Sequence, residues 1–237
     1  MELQAVPAAD RRSVPVLLEQ SAALLDAGEY GRALELLDRA AKADPDVSET
    51  HRKRGRALEN LGPEHLEEAA AAYRVALSLD PGACRAREGL ANVLDRLGDR
   101  ANAEAQWEEV LRQASGRWDS EQDLLELAGR CFYRLDRVPE AVSAFERALA
   151  IDPAWVAVRF DLGLVQLVSG ARLEAVASYA RALGDVAAVP SALGSAQAAL
   201  DELVAVCEGD PALRVDAVTR EIVDALAGAV GAAGGLG

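Results

Sequence analysis

The sequence predicts an all-α chain of five helix-turn-helix repeats closed by a C-terminal capping helical hairpin, and three observations carry that prediction. A small-xxx-large-xx-small triplet recurs five times along the 237 residues, with copies two to three and four to five spaced by 34. The chain holds only 3 Trp, 4 Tyr and 3 Phe, yet four of these rings fill the large position of four consecutive copies. Each triplet is preceded by a second amphipathic segment that ends in a Gly-containing turn or its substitute.

Residues 1–12 show no core-forming pattern and are expected to form a flexible N-terminal segment. The repeats fill 13–189. The first copy (14–47) has Ala33/Leu37/Ala40 with a helix stop at Pro45, and the second (48–83) has Ala69/Tyr73/Ala76 with Pro81. The third (84–117) reads Ala103/Trp107/Val110 with Ser115, and the fourth (122–155) Ala141/Phe145/Ala148 with Pro153. The fifth (156–189) reads Ala175/Tyr179/Ala182 with Ala187, so the third and fifth copies lose the terminal Pro. Residues at i, i+4 and i+7 share a helix face, so a bulky side chain there enters a gap left by small neighbours.

The turns inside the repeats read Gly28-Glu29-Tyr30, Gly62-Pro63, Gly98-Asp99, Asp136-Arg137 and Gly170-Ala171. Seven residues before each lies a small residue, Ser21, Gly55, Ala91, Gly129 or Gly163, that lets two helices approach closely. Surplus residues fall where loops accept them, at Gly62-Pro63-Glu64-His65 and at Trp118-Asp119-Ser120-Glu121. Trp118 and Trp155 lie outside the repeated large column and are expected to wedge neighbouring repeats together.

After Pro190 the period fades. Leu193, Ala196, Leu200, Leu203, Val204 and Cys207 trace one stripe, and Val215, Val218, Ile222, Leu226 and Val230 another, with Gly209-Asp210-Pro211 between them. This predicts capping helices over 190–230, because an unfinished stack exposes an apolar end. Residues 231–237, rich in Gly, are expected to be a flexible tail.

The net charge of −14 works against a phosphate-neutralising surface, so nucleic acid is excluded as a partner. The densest basic cluster, His51-Arg52-Lys53-Arg54-Gly55-Arg56, points around a helix instead of along one stripe and has no interleaved aromatics. Cys84, Cys131 and Cys207 form neither a disulfide framework nor a zinc ladder and read as buried free thiols of a cytoplasmic protein. No apolar run approaches the roughly 20 residues of a membrane span. His51 and His65 lack chelating neighbours, and no G-x-S-x-G, G-x-x-x-x-G-K-[ST], H-E-x-x-H or G-x-G-x-x-G signature is present. Catalytic, metal and cofactor sites are therefore not expected.

The repeated pattern resembles the tetratricopeptide repeat (TPR) family over roughly residues 14–189. The fourth copy carries the resemblance best, with Leu125, Ala128-Gly129, Phe132, Ala141, Phe145, Ala148 and Pro153. Leu17, His51, Arg87, Leu125 and Arg159 stand where that family commonly has Trp. The resemblance implies antiparallel helix pairs stacked into a right-handed superhelix, with positions 2, 5, 9, 12 and 13 of each first helix lining a concave groove. Carried onto this chain, these positions are Glu49, Arg52, Arg56, Glu59 and Asn60 in the second copy and Arg85, Glu88, Asn92, Asp95 and Arg96 in the third. In the fourth they are Asp123, Glu126, Arg130, Tyr133 and Arg134. The outer copies are greasier, with Leu18, Ala22 and Leu25 in the first and Ala157, Phe160, Leu164, Leu167 and Val168 in the fifth; Phe160, Leu164, Leu167 and Val168 suit a hydrophobic peptide pocket but are expected to pack beneath the C-terminal hairpin.

Arg52, Arg56, Asn60, Arg85, Asn92, Arg96, Arg130, Tyr133 and Arg134 are thus the candidate partner-binding residues. Arg52/Arg56, Asn92/Arg96 and Arg130/Arg134 form a ladder of donors suited to a carboxylate, although the acids beside them suit a self-paired, solvated face equally. Asn92 occupies one position of the family's carboxylate clamp, but no matching Lys framework accompanies it. The expected function is a noncatalytic scaffold or adaptor that binds a peptide or helical segment of another protein, one with acidic groups included. The alternatives are a TPR-type chaperone for hydrophobic clients and a regulatory subunit of a separate enzyme.

Overall fold

A computed structural model of the protein describes residues 12–117, 122–188 and 192–234, and every regular element among them is helical. Two compact units divide the chain, Met1–Ser115 and Gly116–Gly237. The first holds α1 (Val14–Asp26), α2 (Tyr30–Ala43), α3 (Ser48–Leu61), α4 (Leu66–Leu79), α5 (Cys84–Arg96) and α6 (Arg100–Ala114), with a 3-10 turn, Pro63–His65, between α3 and α4. The second holds α7 (Gln122–Arg134), α8 (Val138–Ile151), α9 (Val156–Val168), α10 (Arg172–Ala188), α11 (Leu193–Gly209), α12 (Pro211–Val215) and α13 (Ala217–Gly234). The expectations for residues 1–11, for the insertion Trp118-Asp119-Ser120-Glu121 with its wedging Trp, and for Pro190 lie outside the described residues.

The helix pairs end by one device used repeatedly. A residue before Pro is pushed out of the helical region, and Asp44, Asp80 and Asp152 each take extended backbone before Pro45, Pro81 and Pro153. Their carboxylates then accept from the backbone N–H two residues on: Asp46 at 3.4 Å, Gly82 at 2.9 Å and Ala154 at 2.9 Å. The fourth position of the next helix closes the corner. His51 lies 2.7 Å from the Pro45 carbonyl, Arg87 donates to Pro81 at 2.8 Å, and Arg159 donates to Pro153. Where no such Pro precedes, the position is apolar, as Leu125 is, so a polar side chain replaces the bulky family residue only where a carbonyl waits for it.

In four of the five pairs the turn uses a left-handed residue. Gly28, Gly98 and Gly170 supply φ of 74°, 85° and 85°, and Asp136 takes the same role at φ 59°. Beyond the turn, the large residue of the second helix enters the notch on the first. Leu37, Tyr73, Trp107, Phe145 and Tyr179 are all buried, between triplet residues that are also buried. The glycine notches leave no room for a side chain. A Cβ added at Gly129 would lie 2.5 Å from the Phe145 ring, and one at Gly163 2.9 Å from Tyr179. Tyr73 is held on two sides: a Cβ added at Gly55 would meet its ring at 2.7 Å, and one at Gly89 of the following repeat at 2.4 Å.

The C-terminal region departs from a sixth pair. The hairpin expected over 190–230 is three helices, and α11 packs on α9 while scarcely touching α10, whose surface α13 covers. The cause is readable in α10. With Ala187 in place of a stop-forming Pro, α10 runs 17 residues where α2, α4 and α8 run 14, so it continues through the corner at which those helices end. The tail expected from 231 also starts inside a helix. The last helix continues through Gly234 because Ala232 and Ala233 favour it and no Pro intervenes.

Candidate functional site

In the first unit α3 lies beside α1 on one side and α5 on the other, so the outward positions of these first helices share one face. Arg52 donates to Glu49 through Nε at 2.7 Å and Nη2 at 2.6 Å. One turn further, Arg56 reaches back to Asp26 of α1 at 3.2 Å, and Asn60 donates to the Arg56 carbonyl at 2.8 Å. On α5, Arg96 donates to the Glu59 carbonyl of α3 at 3.0 Å. Arg85 is half-buried on the same helix, and Glu88 is buried.

The buried rings position two members of this face. Tyr73 passes between its glycines and donates to Glu59 at 2.8 Å, while the Trp107 indole donates to the Asn92 carbonyl oxygen at 3.2 Å. Burial and the adjacent Glu59 carboxylate push the Tyr73 hydroxyl well above its ordinary range, so it stays a donor. Asn92 is fixed by its oxygen and keeps its NH2 as the group to offer. Ring and face are therefore one construction, and the sequence signal for the ring is also the signal for what it orients.

Burial pushes the Glu49 carboxyl up, but the hydrogen bonds and charges of Arg52 and Lys53 outweigh that and hold it below its ordinary 4.5. A lowered folded value means this pairing stabilises fully above pH 4.5 and is lost as pH falls through the depressed value. A side-chain carboxyl NMR titration should give Glu49 a midpoint below 4.5 that rises in Arg52→Gln. A midpoint at or above 4.5 in the unmodified chain would contradict the pairing.

The basic cluster at 51–56 is neutralised in place. His51 turns to Pro45, Arg52 and Lys53 to Glu49, Arg54 to Asp38 at 2.7 Å and Arg56 to Asp26. Such a set presents no stripe to a phosphate backbone. Cys84, Cys131 and Cys207 are buried thiols. Among the described residues no helix is long and apolar enough to cross a membrane.

The second unit treats its first helices differently. Arg130 donates to Glu126 at 2.7 Å, and Arg134 donates to Glu202 of α11 at 3.2 Å. Tyr133 packs against an apolar cluster that contains Phe160, Leu164 and Leu167 of α9 and Leu203 and Cys207 of α11. Burial and the Glu202 charge push its hydroxyl up. Tyr133 and Arg134 therefore face the chain's own α11. Phe160, Leu164 and Leu167 lie beneath the C-terminal helices, as their apolar character leads one to expect, and α11 is the helix that rests on α9.

The tetratricopeptide repeat family model matches residues 18–83 and 88–154. Among solved structures, the chain is similar to a thermophilic TPR protein of Thermus thermophilus, at 23% identity and a TM-score of 0.63, over 81% of this chain and 99% of that one. It is also similar to pilF of Pseudomonas aeruginosa, at 15% identity and a TM-score of 0.54, over 90% of this chain and 97% of that one. These two likenesses are of fold. No curated protein sequence matches the chain.

Proposed function

The chain belongs to the tetratricopeptide repeat family, and from that premise we propose that it is a noncatalytic interaction module which holds a peptide or helical segment of another protein on the first-helix face of its first unit. One observation carries this reading. Side chains at the outward positions of α3 and α5 stay polar and reachable, with Arg56 and Arg96 more than two-fifths exposed, while the second helices behind them are locked by buried rings.

Arg52, Arg56, Asn60, Arg85, Asn92 and Arg96 are the binding residues in this reading. Arg52 uses Nε and Nη2 on Glu49, and the planar guanidinium keeps a third nitrogen for an incoming carboxylate or main-chain carbonyl. Acids alternate with these donors, so recognition rests on matched donor positions more than on net attraction, and a wrong partner is rejected by leaving charges unpaired. The polar face favours this over the holding of hydrophobic clients.

The test is affinity capture with the full chain, followed by binding measurements on the stoichiometric partner it retains. Arg52→Glu with Arg96→Glu should weaken that complex by about a hundredfold, the effect of losing two charge-assisted contacts at about 1.4 kcal/mol each, with helical content unchanged. Unaltered affinity would reject the proposed face.

A further inference from the structure

The corresponding face of the second unit is already occupied by a helix, and the occupant's chemistry shows what that face takes. Where α3 and α5 carry polar side chains, α9 carries Phe160, Leu164 and Leu167, all buried. They join one apolar cluster with Ala196, Leu203 and Cys207 of α11, and α11 lies between α9 and α13. Arg134 of α7 meets Glu202, the residue beside Leu203, at 3.2 Å. Greasy floor and cationic edge thus match the apolar stripe and flanking carboxylate of the helix seated there.

The seated helix is held more lightly than the floor beneath it. Of its 17 residues only Ala196, Leu203 and Cys207 are buried, with Leu193, Ala199, Leu200 and Val206 partly buried against the same cluster, whereas α9 buries nine of 13. The Arg134–Glu202 pair joins an exposed Arg to a half-buried Glu, near the surface where such pairs contribute little.

We infer that the α7–α9 face is a helix-binding groove with α11 as its removable occupant. It takes from another protein an amphipathic helix bearing small or Leu-sized side chains at i, i+7 and i+11 and a carboxylate at i+6. Tethering gives α11 a high effective concentration, so an outside helix gains entry when it is the better match or when the hold of α11 is weakened. This groove is separate from the first-unit face, and either can fail without the other.

Two measurements test it. Hydrogen exchange on the unmodified chain should show α11 amides exchanging about tenfold or more faster than those of α9 and α10 through local opening. Exchange of α11 only together with α9 and α10 would overturn the inference. In the second, a labelled peptide of residues 192–209 is titrated into the full chain. It should bind Glu202→Arg/Leu203→Ala at least about tenfold more tightly than the unmodified chain. Adding Arg134→Glu should remove that gain, and a peptide carrying Glu202→Arg should restore it. Equal affinity for both chains, or no binding to either, would overturn it, and the exchange measurement decides the matter if the variant fails to fold.

Discussion

Trp107→Ala is expected to lower the stability of the first unit by about 3–5 kcal/mol, the cost of emptying a large core site. The side chain is fully buried between Ala103 and Val110, which are fully buried themselves. Its removal also strips Asn92 of the indole donor that fixes it. Trp107→Phe separates the two effects, since it keeps a ring in the notch and loses only the N–H. Urea unfolding followed by far-UV circular dichroism should show a large loss for Ala and a smaller one, near the roughly 1 kcal/mol of a single hydrogen bond plus modest repacking, for Phe. Equal losses would mean that the ring is incidental.

The second large effect comes from filling a notch. Gly89→Val should cost about 3 kcal/mol, at the upper end for overpacking, because the Tyr73 ring has nowhere to retreat. Its ring already meets Gly89 on one face and Gly55 on the other. Gly184→Ala is the control. Nothing lies within 4 Å of a Cβ added there, so the same kind of change inside a helix should stabilise by up to about 1 kcal/mol through propensity alone. Opposite signs for the two substitutions separate packing from backbone preference, and the unfolding midpoint reads both.

Much of this architecture is legible in the residues because it depends on local spacing. A ring at i+4 between small residues, with Gly or Asp at the turn, specifies a helix pair with little help from distant parts of the chain. Where reasoning from the sequence falls short, the determinant is a contact between repeats or a carbonyl. Gly89 belongs to no expected notch, since its ring comes from the preceding repeat. His51, Arg87 and Arg159 look like misplaced polar residues until the Pro45, Pro81 and Pro153 carbonyls are seen beside them. An Asp-Pro step six residues upstream is the signal that could have found them.

The candidate site divides the same way. Placing Arg52, Arg56, Asn92 and Arg96 on neighbouring first helices follows from the repeat register, but their partners do not. Asp26 lies 30 residues before Arg56, and Glu202 lies 68 residues after Arg134. The overrun of α10 is foreshadowed by the missing Pro at 187 and the cover over α9 by its apolar side chains, while the division of that cover into three helices is recorded in no periodicity.

A double-mutant cycle between Gly129 and Phe145 tests ring-in-notch packing most directly, because an added Cβ would meet that ring at 2.5 Å. Gly129→Ala and Phe145→Leu should each destabilise the second unit, and together they should cost less than their sum by at least about 1 kcal/mol, since the smaller side chain makes room for the new methyl group. Strict additivity, within about 0.3 kcal/mol, would contradict the packing on which both faces rest.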